Sequence, residues 1–116
     1  MGSTWISQDA SYKFGYMSAK DRNEITEEIK AHIRTQGGAC RDWYVGVTSD
    51  IEQGLFSDHN VPSQDSWYIC RRTFTHADAK AIEADLIRLG CDGGSKRRDD
   101  AAIFVYAYLK TTATKQ

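Results

Sequence analysis

Tyr44, Gly46 and Thr48 stand at alternate positions of one short stretch, and a later helical run, Ala81-Ile82-Glu83-Ala84-Asp85-Leu86-Ile87, carries Glu83. A phenol, with a pKa of about 10, takes up a proton at neutral pH only where a cation or neighbouring positive charge lowers that value. A single carboxylate can hold Mg²⁺ when water and substrate oxygens complete the shell. Gly46, lacking a side chain, leaves its strand face open to a sugar-phosphate backbone. Lys96-Arg97-Arg98 is the best phosphate-binding patch, although Asp92, Asp99 and Asp100 flank it. Arg71 and Arg72 are neighbours in a strand, so they point to opposite faces and only one can look at a given site. His59 follows Asp58 at a helix end, where a cation suits the dipole and an imidazole could also meet a phosphate or move a proton.

Other chemistries find less support. Asp92-Gly93-Gly94-Ser95 lacks the lysine and hydroxyl residue of a P-loop and reads as a turn. Cys40, Cys70 and Cys91 form no CxxC pair, and with His32, His59 and His76 they show no zinc spacing. Their odd number suggests reduced thiols in a cytosol rather than a disulfide frame. A thiol enzyme built on Cys70 or Cys91 has no base nearby in sequence.

The elements that must position these residues follow from period and punctuation. Residues 1–20 form an irregular lead, with a short strand expected near 12–17. Asp21 caps a helix whose Ile25, Ile29 and Ile33 make one apolar stripe, and Gly37-Gly38 stops it. Residues 43–48 read as a strand with Trp43, Val45 and Val47 on one face and Tyr44, Gly46 and Thr48 on the other. Ser49 and Glu52 make a capping box for a short second helix that buries Ile51, Leu55 and Phe56 and ends near His59. Residues 60–65 are a loop and 67–74 a second strand. Thr75 and Asp78 cap a helix with Ala79, Ile82, Leu86 and Leu89 on one face, ended by Gly90. Residues 91–100 are a charged glycine-rich loop, 103–109 the last strand, and 111–116 a frayed tail. The expected fold class is α/β (α+β), one domain over residues 1–116, with a small mixed or antiparallel sheet of three to four strands flanked by about three helices.

Composition bounds the rest. The chain has 116 residues, 41% hydrophobic and 11% aromatic, enough for one domain with a real core. Fifteen basic residues stand against 16 acidic ones, a net charge of −1, so nucleic-acid binding must rely on a local patch. The longest apolar run, 101–109, is far short of the roughly 20 residues a membrane span needs, so no membrane partner is expected. Met1-Gly2-Ser3-Thr4-Trp5 lacks the basic and apolar stretches of a secretory signal, which points to a cytoplasmic domain. Apolar residues on both faces of so small a sheet make a homodimer a reasonable expectation.

The run Tyr44-Val45-Gly46-Val47-Thr48-Ser49-Asp50, followed by a helix ending near His59, a strand and a helix with Glu83, resembles the second half of the GIY-YIG nuclease signature. Tyr44-Val45-Gly46 matches the Tyr-Ile-Gly element, and the likeness covers residues 42–89. It implies a Mg²⁺- or Mn²⁺-dependent endonuclease acting on DNA. Tyr44 would be the base and Glu83 the metal ligand, with His59 and Tyr106 or Tyr108 assisting. Thr48, Arg71, Arg72, Lys96, Arg97 and Arg98 would hold nucleic acid. The family's Gly-Ile-Tyr strand is missing upstream, and the terminal strand Phe104-Val105-Tyr106-Ala107-Tyr108 could pair beside Tyr44 in its place. Ten residues after Tyr44, where the family has an arginine, stands Gly54. Three explanations stay open: a relative that binds without cutting, an arginine arriving from elsewhere (Arg71, Arg72, Arg97 or Arg98), or an inactivating Arg-to-Gly change. The alternative function is a non-catalytic interaction or inhibitor protein, of the sort a phage or mobile element could encode, with a protein partner.

Overall fold

A carboxylate begins the first helix. The Asp21 side chain accepts from the Asn23 and Glu24 N–H groups at 2.9 and 3.4 Å, which satisfies two donors that the helix leaves unpaired. The structure, a computed structural model, describes residues 17–36, 38–62, 67–94 and 100–116. In it α1 spans Arg22–Thr35 and buries Ile25, Ile29 and Ile33, the predicted stripe. Helix α2, His76–Arg88, starts where Thr75 Oγ1 accepts from the Asp78 N–H at 3.0 Å, and it buries Ala79, Ile82 and Leu86. Gly90, at φ +115°, ends it in the left-handed region.

The strands are β1 (Ala19–Lys20), β2 (Trp43–Thr48), β3 (Tyr68–Thr73), β4 (Asp92–Gly93) and β5 (Phe104–Leu109). They form one mixed sheet in the order β1-β3-β5-β2-β4. β5 runs antiparallel to both β2 and β3, while β1 and β4 add parallel edges. The α+β class is as expected, but the described sheet has five strands rather than three to four. The additional pair are two-residue edges, too short to leave a period in the sequence. The strand expected near 12–17 lies outside the described residues except for Met17, which packs against the tyrosine-face cluster.

Alternation along the strands divides the interior in two. Trp43, Val45, Val47, Ile69, Val105 and Ala107 meet α1 and α2 on one face. Tyr44, Tyr68, Cys70, Tyr106 and Tyr108 lie on the other and are covered by Ile51, Leu55 and Val61. Both faces of the sheet thus pack against other segments of the same chain.

Two local expectations are corrected. The second helix is a single wide turn, Glu52–Ser57, in which the Asp58 N–H reaches back five residues to Gln53 O at 2.9 Å. Gly54 in its interior does little to enforce regular α geometry. The Asp50 carboxylate accepts from the Gln53 N–H at 3.3 Å at the start of this turn. The tail is docked, not frayed: the Lys115 N–H donates to His59 O at 2.8 Å, and Asn60 Nδ2 donates to Ala113 O at 2.9 Å.

Candidate functional site: a tyrosine–histidine cluster

The register of β5 against β2 sets Tyr108 opposite Tyr44 and Tyr106 opposite Gly46. The terminal strand therefore pairs beside Tyr44 and delivers two phenols to its face. His59, from the segment after the wide turn, enters the same cluster. Its ring centroid lies 4.9 Å from that of Tyr44 and 5.0 Å from that of Tyr108, and the Tyr44 and Tyr108 rings stack at 5.3 Å. His59 is thus a buried member of this cluster, just past the end of the wide turn.

The ring nitrogens of His59 tie the cluster to the C-terminal segment and to Tyr106. His59 Nδ1 is 2.5 Å from the Lys115 carbonyl, which can only accept, so Nδ1 carries the hydrogen. In the neutral ring Nε2 then accepts from the Tyr106 hydroxyl at 2.9 Å. The Tyr108 hydroxyl donates toward Gln116 Oε1 at 3.0 Å or Lys115 O at 3.3 Å. A hydroxyl on an imidazole whose other nitrogen rests on a carbonyl has the connectivity of an activated nucleophile. Here, however, the hydroxyl is buried, and Tyr106 fills the space beside Gly46. A Cβ at Gly46 would stand 2.6 Å from Tyr106 Cζ. That glycine makes room for a ring of the same sheet, not for a sugar-phosphate backbone.

Glu83 does not join this cluster. It belongs to α2, whose apolar side packs on the Trp43–Val45–Val47 face, whereas Tyr44 lies on the opposite one. Both are sealed, Tyr44 at 5% exposure and Glu83 at 3%. Burial pushes the Tyr44 phenol above its ordinary pKa, and the carboxylates of Asp92 and then Glu83 push the same way. That direction opposes action as a base at neutral pH. Burial raises Tyr108 as well, helped by Tyr44, Tyr106 and Asp92.

Glu83 Oε1 takes the Lys80 ammonium at 2.7 Å, and Oε2 has no hydrogen-bond partner among the described residues. Glu83 is thus a buried carboxylate paired with a lysine, and by itself it offers Mg²⁺ a single protein ligand. Among the described residues no group of three or more His, Cys, Asp and Glu side chains is disposed to hold a metal.

The remaining residues separate as alternation requires. Arg71 turns to the helix face, where its Nε donates to Glu28 Oε1 at 2.6 Å. Arg72 shares the tyrosine face and reaches Met17 O through Nη1 at 3.4 Å. Its buried Nε has no partner among the described residues. Thr48 is locked by two 3.0 Å bonds between its Oγ1 and the Asp50 backbone. Gly54 packs on that threonine: a Cβ there would sit 3.0 Å from Thr48 Cβ. An arginine at this position would have to displace a pinned neighbour. Lys96, Arg97 and Arg98 lie outside the described residues. Sequence reasoning missed the Lys115 carbonyl and Asp92 as cluster neighbours, since backbone acceptors and edge residues carry no motif. Comparison with protein-family models, curated proteins and solved structures returns no match for this chain.

Proposed function

We propose that this chain is a cytoplasmic, non-catalytic binding domain whose partner is a protein. One observation carries the reading. The phenol and the carboxylate that a shared hydrolytic centre would need, Tyr44 and Glu83, belong to opposite faces of the sheet and are both sealed. The near-balanced charge adds support, because it offers phosphates no general attraction. Exposed apolar side chains supply contact material: Phe74 after β3 at 65% exposure and Leu89 after α2 at 53%.

DNA cutting is favoured by a different observation, the pairing of β5 that brings Tyr106 and Tyr108 beside Tyr44 with Arg72 on the same face. That reading requires Glu83 to leave its buried position on α2. Supercoiled plasmid incubated with the protein and Mg²⁺ or Mn²⁺ separates the two. The binding-domain reading expects no nicking and no retention of duplex DNA at low ionic strength. It also expects a salt-insensitive cross-linked protein complex that Leu89→Asp or Phe74→Asp weakens. Nicking that disappears in Glu83→Gln or Tyr44→Phe would overturn it in favour of the nuclease.

A further inference from the structure

Two of the three cysteines, Cys40 and Cys91, are far apart in sequence but come together at one edge of the core. Cys40 opens the short 3₁₀ turn Cys40–Asp42 that leads into β2, and Cys91 links Gly90 at the end of α2 to β4. Cys91 is part of the core under the helices, and Cys40 packs against that core from its rim. The turn at Gly90 makes the approach close, since a Cβ on that glycine would sit 3.9 Å from Cys40 Cβ. Cys40 thus packs on the core that holds Cys91, one residue beyond the glycine it faces. Cys70 lies on the other side of the sheet, among the tyrosines. None of the three is in a disulfide.

We propose that Cys40 and Cys91 are a dithiol redox pair that a hydroperoxide converts to an intramolecular disulfide, stapling the turn before β2 to the junction of α2 and β4. The two sulfurs are unequal, and the inequality sets the order of events. Cys91 is buried, and that burial, with Cys40 beside it, pushes its thiol up to about 12, while the Lys110 ammonium works the other way. Cys91 therefore stays protonated at neutral pH. Cys40, half-buried at the rim, is the sulfur an oxidant meets first.

The Cys40 thiolate attacks one peroxide oxygen, the O–O bond breaks, and a sulfenic acid forms as hydroxide leaves and takes up a proton. The Cys91 sulfur then attacks the sulfenic sulfur. The S–O bond breaks, the S–S bond forms, and the departing hydroxide carries away the Cys91 proton as a second water. Two thiols are oxidised and one peroxide is reduced to two waters. Beyond Cys91 the chain runs directly into Asp92 and Gly93, which pair with Tyr44 and Val45. Oxidation would thus clamp the strand that borders the tyrosine face.

Native protein is treated with hydrogen peroxide, quenched, and its thiols are counted after unfolding. The expected result is a fall from three thiols to one, loss of two hydrogens from the intact mass, and a Cys40–Cys91 cross-linked peptide that dithiothreitol cleaves. The oxidised form should melt at a higher temperature, because the bond restricts the unfolded chain. Cys40→Ser, a change at a half-exposed rim position, should keep both remaining thiols under the same treatment. If Cys40 stops at a sulfinic acid or takes a glutathione adduct while Cys91 remains a thiol, the proposal fails. A fall in thiol count that Cys40→Ser does not prevent overturns it equally.

Discussion

Gly46 illustrates how one missing methyl group can organise a set of side chains. The Tyr106 ring lies over it and is held there by His59 Nε2, so the ring cannot simply swing away. Gly46→Ala should therefore destabilise the protein by about 1–3 kcal/mol, the usual range for overpacking a filled core. In urea unfolding, Tyr106→Leu in the same chain should recover part of that loss, whereas independent sites would simply add. The phenols themselves give a second test. Burial raises Tyr44 and Tyr108 above their ordinary values, so the folded state keeps protons that the unfolded chain releases from about pH 10. Their contribution to stability is complete below that pH and is lost as the pH climbs through the raised folded-state values. Phenolate absorbance of native protein should lag behind that of protein in guanidinium, and Tyr44→Phe should shrink the lag. The residue types of this cluster were legible in the sequence, and so was the strand face of Tyr44. Its closure was not, because the rings that fill it come from a strand some sixty residues away.

Between elements, Glu28 is the tie. From α1 it takes Arg71 of β3 at 2.6 Å and Lys20 of β1 at 2.9 Å. Burial disfavours its ionised form, but the bonds from Arg71 and Lys20 outweigh this and lower its pKa. The stabilisation is therefore present above the ordinary carboxylate range and is lost as pH falls through the lowered value. Glu28→Gln should cost about 1 kcal/mol or less at neutral pH, as expected for partly exposed pairs, and should flatten the acid limb of stability measured by urea titration. The C-terminal segment is tied by the backbone instead, through Lys115 and Ala113 to His59 and Asn60. Deleting residues 112–116 should strip His59 of its carbonyl and lower stability by about 1–3 kcal/mol. Amide exchange in the 55–61 segment should rise with it. Helices α1 and α2 could be read from their caps and apolar spacing, because those signals are local. The docked tail, β1 and β4 could not, since each is defined by a distant partner rather than by its own composition.

For the fold as a whole, class and principal strands followed from alternation and punctuation, while strand order did not, because pairing leaves no mark on either sequence alone. That order places β5, late in the chain, at the middle of the sheet between β2 and β3. A ribosome making this protein therefore releases both flanking strands well before the one that joins them. Until residues 104–109 emerge, β2 and β3 each keep a bare row of amide and carbonyl groups ready to pair with a neighbouring chain. Closure depends on contacts far apart in sequence, which is slow compared with helix formation. During synthesis the nascent chain is thus most exposed to aggregation just before its central strand arrives, and a chaperone that shields these edges would be most useful in that interval.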